Sequence, residues 1–214
     1  MSKWEQSQKY EKQYSIDGIK QWDIPFSETY WLDFMHISKV NFPALEVGCG
    51  NFGIWRFNKS VMGLDPIDFS DLGTNFIQSK AETIPCPDNH FKDVYCINAL
   101  DHTEDPVKAM SEMARVCSDR LIIWVYVFNK VMQPLFNIMY RPHPLCFTTE
   151  DFISNSPFPS DLIPSFMKLE NCQYISPTRE LLQYTKQFIP RSKVQIAETF
   201  GMKALLLHLR KVKP

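Results

Sequence analysis

In the segment "EVGCGNFG" a carboxylate stands among closely spaced glycines: Glu46, then Gly48, Gly50 and Gly53. The glycines have the G-x-G-x-x-G spacing that turns a backbone tightly and brings it against the pyrophosphate of a dinucleotide. Glu46 opposes that ligand. A carboxylate near the end of a buried strand costs several kcal/mol unless a cation or several donors meet it, and a phosphate would repel it. An ammonium would satisfy it, so the expected ligand carries an amino-acid head group beside the glycine turn. Asp65, in "VMGLDPID", follows the next apolar run, where a carboxylate is placed to accept from both hydroxyls of a ribose. His102, in "NALDHTEDP", follows a later apolar run. Histidine is the side chain that exchanges protons near neutral pH, so His102 is the candidate general base, with shaping of its loop as the alternative role. His143, in "RPHPLCF", is a second candidate, whereas His36, His90 and His208 read as ordinary helix, loop and strand positions.

These residues need a scaffold that collects them at one edge. Five short apolar runs alternate with polar or helical segments: Ala44 to Val47, Val61 to Leu64, Asn75 to Gln78, Val94 to Asn98 and Leu121 to Val127. That alternation predicts parallel strands joined by crossovers, and in such a sheet ligands lie outside the carboxyl ends of the strands. The clearest helix follows Asp105 as N-cap, with Pro106 at its first position and Val107, Met110, Met113 and Ala114 along one face. With 214 residues, 44% of them apolar, the chain suits one well-filled core, and it is expected to be a single domain of three zones. Residues 1–42 are helical and aromatic, with Trp4, Tyr10, Tyr14 and Trp22 among them and Ser27 capping a helix to about Lys39; this zone is expected to act as a lid. Residues 43–128 are the ligand-binding core. Residues 129–214 are punctuated by proline and are expected to form a substrate cap and the final strands, the last an edge or hairpin strand entered through Gly201.

Composition excludes several classes. Net charge is -1, so there is no electrostatic footprint for nucleic acid or for an anionic membrane. The most apolar run, Leu121 to Phe128, has the length of a strand rather than a membrane span. The N-terminus carries no apolar leader, which predicts a cytoplasmic protein. Six scattered cysteines without a C-x-x-C pair predict reduced thiols and no metal site.

An amino acid joined to a nucleoside is S-adenosylmethionine, and from about Ala44 to Ile123 the chain resembles the class I methyltransferases that use it, in particular the small-molecule type 11 group. Four segments carry the resemblance in order: Glu46, Gly48, Gly50 and Gly53; Asp65; "AETIPCPDNHF", with Ala81, Glu82, Ile84, Pro85, Pro87, Asp88 and Phe91; and Leu100, His102, Asp105 and Pro106 before the helix that ends "ARV". The resemblance implies a Rossmann-like, doubly wound α/β sheet of about seven mostly parallel strands, with an antiparallel C-terminal edge strand, N-terminal helices and a C-terminal cap. It implies S-adenosylmethionine as cofactor, held by Glu46, Gly48, Cys49, Gly50, Gly53, Asp65, Pro66, Ala81, Glu82, Asn98, Ala99 and Leu100. Lys80 departs from the family, which has Asp or Asn there to accept from the adenine amino group; a lysine cannot accept and is expected to face solvent, leaving adenine to Glu82, backbone or water. The loop Ser118 to Arg120 is shorter than usual, as are the first two crossovers.

Methyl transfer by in-line displacement to an O, N or C acceptor is the expected function. "NALDH" lacks the proline pair of enzymes that methylate exocyclic amines, and no Pro-Cys follows the fourth strand. With no basic patch, the expected partner is a small-molecule acceptor rather than nucleic acid or membrane, and the protein is expected to be a monomer or homodimer. Two other readings remain. A non-catalytic methyltransferase-like binding subunit would account for Lys80 and the short crossovers, and an NAD-dependent oxidoreductase rests on the glycine spacing alone.

Overall fold

The computed structural model describes residues 4–6, 8, 9, 12, 13, 38–51, 53–127, 162–175 and 203–212. The first strand, β1 (Ala44–Val47), is buried at all four positions and pairs in parallel with β2 (Val61–Asp65) on one side and β4 (Phe91–Ile97) on the other. Beyond β2 lies β3 (Phe76–Gln78), and beyond β4 lies β5 (Cys117–Val127), both parallel. β6 (Met167–Ile175) and β7 (Lys203–Lys211) complete a seven-stranded sheet of order β3-β2-β1-β4-β5-β7-β6. The strands expected from the sequence are all present, with β4 and β5 longer than the apolar runs that announced them. β7 is the antiparallel strand, but it is one place in from the edge, hydrogen-bonded to β5 and β6 on its two sides. Its run of Leu205, Leu206 and Leu207, apolar without alternation and fully buried, suits an interior strand covered on both faces.

The sheet buries both faces. One carries Leu45, Val47, Val94, Cys96, Leu121, Ile123, Leu205 and Leu207 against α1 (Pro106–Val116), whose Ala109, Met110, Met113 and Ala114 are inaccessible. Asp105 caps α1 through a bond from the Lys108 amide, as its type and the following proline predict. The strand β5 follows α1 with no intervening loop, which is how the shortened turn is accommodated. The opposite face carries Ala44, Tyr95, Ile97, Ile122, Trp124 and Leu206, covered by Ile54 and Trp55 of a single 3-10 turn, Ile54–Arg56. That turn stands in the β1–β2 crossover in place of a longer helix.

Two carboxylates sit on this second face. Asp93, fully buried on β4, lies opposite Arg120 of β5 and accepts from its Nη2 at 2.5 Å and from the Asn41 amide at 2.7 Å. Arg120 also donates to the carbonyls of Ser38 and Lys39, so the pair fixes the chain entering β1. Glu46, 2% exposed on β1, has no cationic partner among the described residues: its Oε2 accepts from the Trp55 amide at 3.0 Å. Desolvation outweighs the amide bonds and pushes its pKa up to about 8. Burial thus favours the neutral carboxyl, which is how an acid is tolerated on a buried strand.

The expected helix ending near Lys39 falls mostly outside the described residues, as do Tyr10, Tyr14, Trp22, His36, His143 and Gly201. Among the described residues five cysteines are free, and no helix is long and apolar enough to cross a membrane.

Removing one member of the buried pair strands the other. Asp93→Ala is expected to lower unfolding free energy by about 3 to 5 kcal/mol in urea titration; a loss below about 1 kcal/mol would mean that water screens Arg120. Glu46 gives a pH signature. Its folded pKa of about 8 lies above the ordinary 4.5, so its contribution is complete below pH 4.5, falls as the unfolded state ionises, and is lost by about pH 8. Stability of the wild type should decline over that window relative to Glu46→Gln, which cannot ionise; parallel profiles would show Glu46 charged in the folded state.

Candidate functional site

The carboxyl ends of β1, β2, β3 and β4 open into one cleft of about 730 Å³, counted to its open mouth. Each strand delivers part of its wall. After β1 the chain turns through Gly48 and Gly50, with φ of +69° and +53°, a region that side chains disfavour. A Cβ on Gly48 would collide with that of Ala99, so the exits of β1 and β4 are in contact. Around Gly50 the backbone is open: apart from its chain neighbours, no atom of the described residues lies within 4 Å of where its Cβ would be, so a ligand can approach.

Asp65 ends β2 and holds the turn. Its Oδ2 accepts from the Gly50 amide at 3.0 Å and its Oδ1 from the Ile67 amide at 2.9 Å, which fixes the plane of the carboxylate at the cleft wall. A carboxylate has about four acceptor positions, enough for two amides and a pair of hydroxyls. Pro66, Ile67 and Phe69 continue the wall beyond it.

The loop after β3 adds Lys80, Ala81 and Glu82. Glu82 accepts through Oε1 from the amides of Glu104 and Asp105, at 2.7 and 3.0 Å. Its carboxylate thus ties the loop after β3 to the start of α1. After β4, Asn98 takes φ +50° and donates its amide to Trp124 O, and Ala99, His102 and Thr103 line the cleft. The His102 Nε2 is 3.7 Å from Asp101 Oδ2 on the same 3-10 turn, Leu100–His102.

Of the residues singled out from the sequence, Gly48, Gly50, Asp65, Pro66, Ala81, Glu82, Asn98, Ala99 and His102 share this cleft. Four are not among its lining residues. Glu46 lies beneath the glycine turn rather than facing an ammonium in the cleft, because its side chain points to the sheet face that Trp55 covers. Gly53 sits over that carboxyl: a Cβ there would meet Glu46 Oε2 at 2.6 Å. Cys49 is buried towards β2, where burial and the neighbouring Asp65 and Glu46 carboxyls push its thiol pKa well up. Leu100 is wholly inside the α1 core. Lys80 is also not simply solvated; its Nζ is 3.0 Å from Glu104 Oε2 and 3.9 Å from the centre of the Trp4 ring. Sequence reasoning missed Ile67, Phe69 and Thr103 in the wall, and Gln8 of the N-terminal segment. The first three follow the strand ends within four residues of Asp65 or Ala99 and could have been found by position; nothing marked Gln8.

Comparison with known proteins agrees with this arrangement. Residues 45–123 match the family model described as "Methyltransferase domain". A tRNA U34 carboxymethyltransferase from Nautilia profundicola is 31% identical over 112 residues, which are 41% of this chain and 37% of that protein's length. A putative sarcosine dimethylglycine methyltransferase from Galdieria sulphuraria superposes with a TM-score of 0.59 at 15% identity, covering 86% of this chain and 85% of its own. The geranyl diphosphate C-methyltransferase of Streptomyces coelicolor, solved with S-adenosyl-L-homocysteine, gives 0.61 at 10% identity, with 80% and 73% covered. Such low identities speak for the fold, and the matched segment contains the glycine turn, Asp65 and the strand-four loop together. Residues 45–123 are thus similar to a methyltransferase domain, and the sheet that carries them has the fold of solved methyltransferases.

Proposed function

We propose that this protein transfers a methyl group from S-adenosylmethionine to a small-molecule acceptor in the cleft at the ends of β1, β2 and β4. The observation that carries the proposal is the pairing of Gly50, open to a ligand, with Asp65, whose carboxylate is fixed at the same wall by the Gly50 amide. These features fit the nucleoside half of the cofactor: a cradle that a Cβ would fill and an acceptor suited to vicinal hydroxyls. The cofactor's amino-acid end would pass the glycine turn, where backbone rather than Glu46 meets it.

When bound, S-adenosylmethionine supplies a methyl group on a cationic sulfur that a nucleophilic atom can displace in line. The chain's contribution is positioning and exclusion of water. Gly48, packed on Ala99, holds the exits of β1 and β4 in fixed relation, and Glu82 secures the loop that presents His102. Holding two reactants in such an arrangement can supply roughly 7 to 11 kcal/mol. A proton leaving an acceptor hydroxyl or amine would go to His102 in the cleft wall, for about 10² to 10⁴-fold more. The small-molecule reading is supported by a net charge of -1 and by Lys80, the cation in the described wall, being paired with Glu104. A second reading, an RNA acceptor, has the tRNA-modifying relative as its support.

Three measurements test these assignments. Calorimetry should give micromolar binding of S-adenosylhomocysteine and none of NAD, and the reverse would sink the cofactor assignment. Asp65→Ala should weaken the homocysteine ligand by about 1 to 3 kcal/mol; unchanged affinity would remove Asp65 from the site. For His102→Ala, turnover should fall while that affinity is kept; equal losses in both would make His102 a loop-shaping residue. The turnover assay runs against a panel of small amines, phenols and acids and against unmodified tRNA, and methyl incorporation into tRNA alone would replace the small-molecule reading.

A further inference from the structure

The N-terminal segment reaches the cleft although Trp4 and Gln8 precede Gly48 by 44 and 40 positions. Trp4 and Gln8 both line the cleft, and both are half-buried, whereas Glu5, Gln6, Lys9, Lys12 and Gln13 are exposed. Residues four apart lie on one face of a helical stretch, so this face is turned to the cleft. Lys80 contacts it there. The Nζ is 3.9 Å from the centre of the Trp4 ring and 3.0 Å from Glu104 Oε2, and the Glu104 amide in turn donates to Glu82 at 2.7 Å. One series of contacts therefore runs from the loop after β4, through the loop after β3, to the N-terminal segment.

This series is a poor stabiliser of the fold. The Lys80 and Glu104 side chains are 42% and 53% exposed, a range in which ion pairs add little. A cation held over an indole face is also a modest interaction at such exposure. Contacts of that strength suit a strap that closes over a ligand and still opens to exchange it. A ribose held by Asp65 would direct its base away from the glycine turn, into the part of the cleft that Ile67, Phe69 and Ala81 line together with Trp4.

Resting on the cofactor reading above, we propose that Trp4 is a specificity-determining residue that roofs the purine of the nucleoside ligand, and that Lys80 is the latch that positions it. Lys80 thereby acts on the base through Trp4 and not as a hydrogen-bonding partner of the base edge.

The test is calorimetry of the full chain with two ligands, S-adenosylhomocysteine and 5′-methylthioadenosine, which keeps the nucleoside and lacks the amino acid. Trp4→Ala should weaken both by about tenfold and by the same factor, as loss of one base–aromatic stack does, and Trp4→Phe should keep most of the affinity. Lys80→Ala should cost about threefold to fivefold, and the double variant should be no weaker than Trp4→Ala, since the latch has nothing left to position. Thermal melting of each variant confirms a folded protein. Wild-type affinity in Trp4→Ala overturns the roof. A loss for S-adenosylhomocysteine without one for 5′-methylthioadenosine overturns the purine assignment, and additive losses in the double variant overturn the latch. Failure of the wild type to bind either ligand defeats the cofactor reading itself, before any variant is made, and takes this proposal with it.

Discussion

The bond from the Trp55 amide to Glu46 is the contact on which the cleft depends. Glu46 lies on β1, an interior strand, and the residue it holds is the middle one of the 3-10 turn that follows the glycine segment. Trp55 then returns the hold, donating from its indole Nε1 to Gly50 O at 3.1 Å, while the Gly50 amide goes to Asp65. The strand β1, the turn, Gly50 and the acid that ends β2 are thus linked in one series of bonds. Burial pushes this acid towards its neutral form, and a protonated carboxyl accepts an amide bond without the full cost of burying a charge.

The second buried acid solves the same problem in the opposite way. Asp93 keeps its partner, Arg120, which is 9% exposed and also collects two carbonyls from the chain entering β1. Such a pair is weak evidence for net stability, because desolvation consumes most of the attraction. Its effect is geometric: it fixes where the chain enters the sheet at the end remote from the cleft. Glu46 organises the exit of β1 and Asp93 the approach to it, with only four strand residues between.

The loops after β3 and β4 are joined by carboxylates rather than by apolar contact. Glu82 takes two amides that precede α1, and Glu112 of α1 takes the Ile84 amide at 3.1 Å while paired with Arg115. Arg115 in turn donates to the carbonyls of Ile84 and Cys86. The "AETIPCP" segment, which has no regular structure of its own, is therefore held by side chains of the neighbouring helix. That is what an irregular loop needs where its backbone groups are partly removed from water.

The sequence by itself determined the sheet and the set of strand ends. Short apolar runs interrupted by glycine, proline and polar residues can be satisfied only by parallel strands with covered faces, and Asp105-Pro106 marks its helix by chemistry that needs no distant partner. Gly50 and Asp65 were legible because a turn with a left-handed residue and an acid at a strand end are local requirements. Tertiary structure decided the rest. Which way Glu46 points follows from the register of β1 and from Trp55 crossing over it, and the same acid at the same spacing could have faced the cleft. The place of β7 inside the sheet depends on its pairing with β6, a strand whose polar residues gave no clear signal. The Lys80 contacts join residues 76 positions apart in the chain, and no local pattern can specify such a meeting, because it exists only once the sheet has set the distance between them.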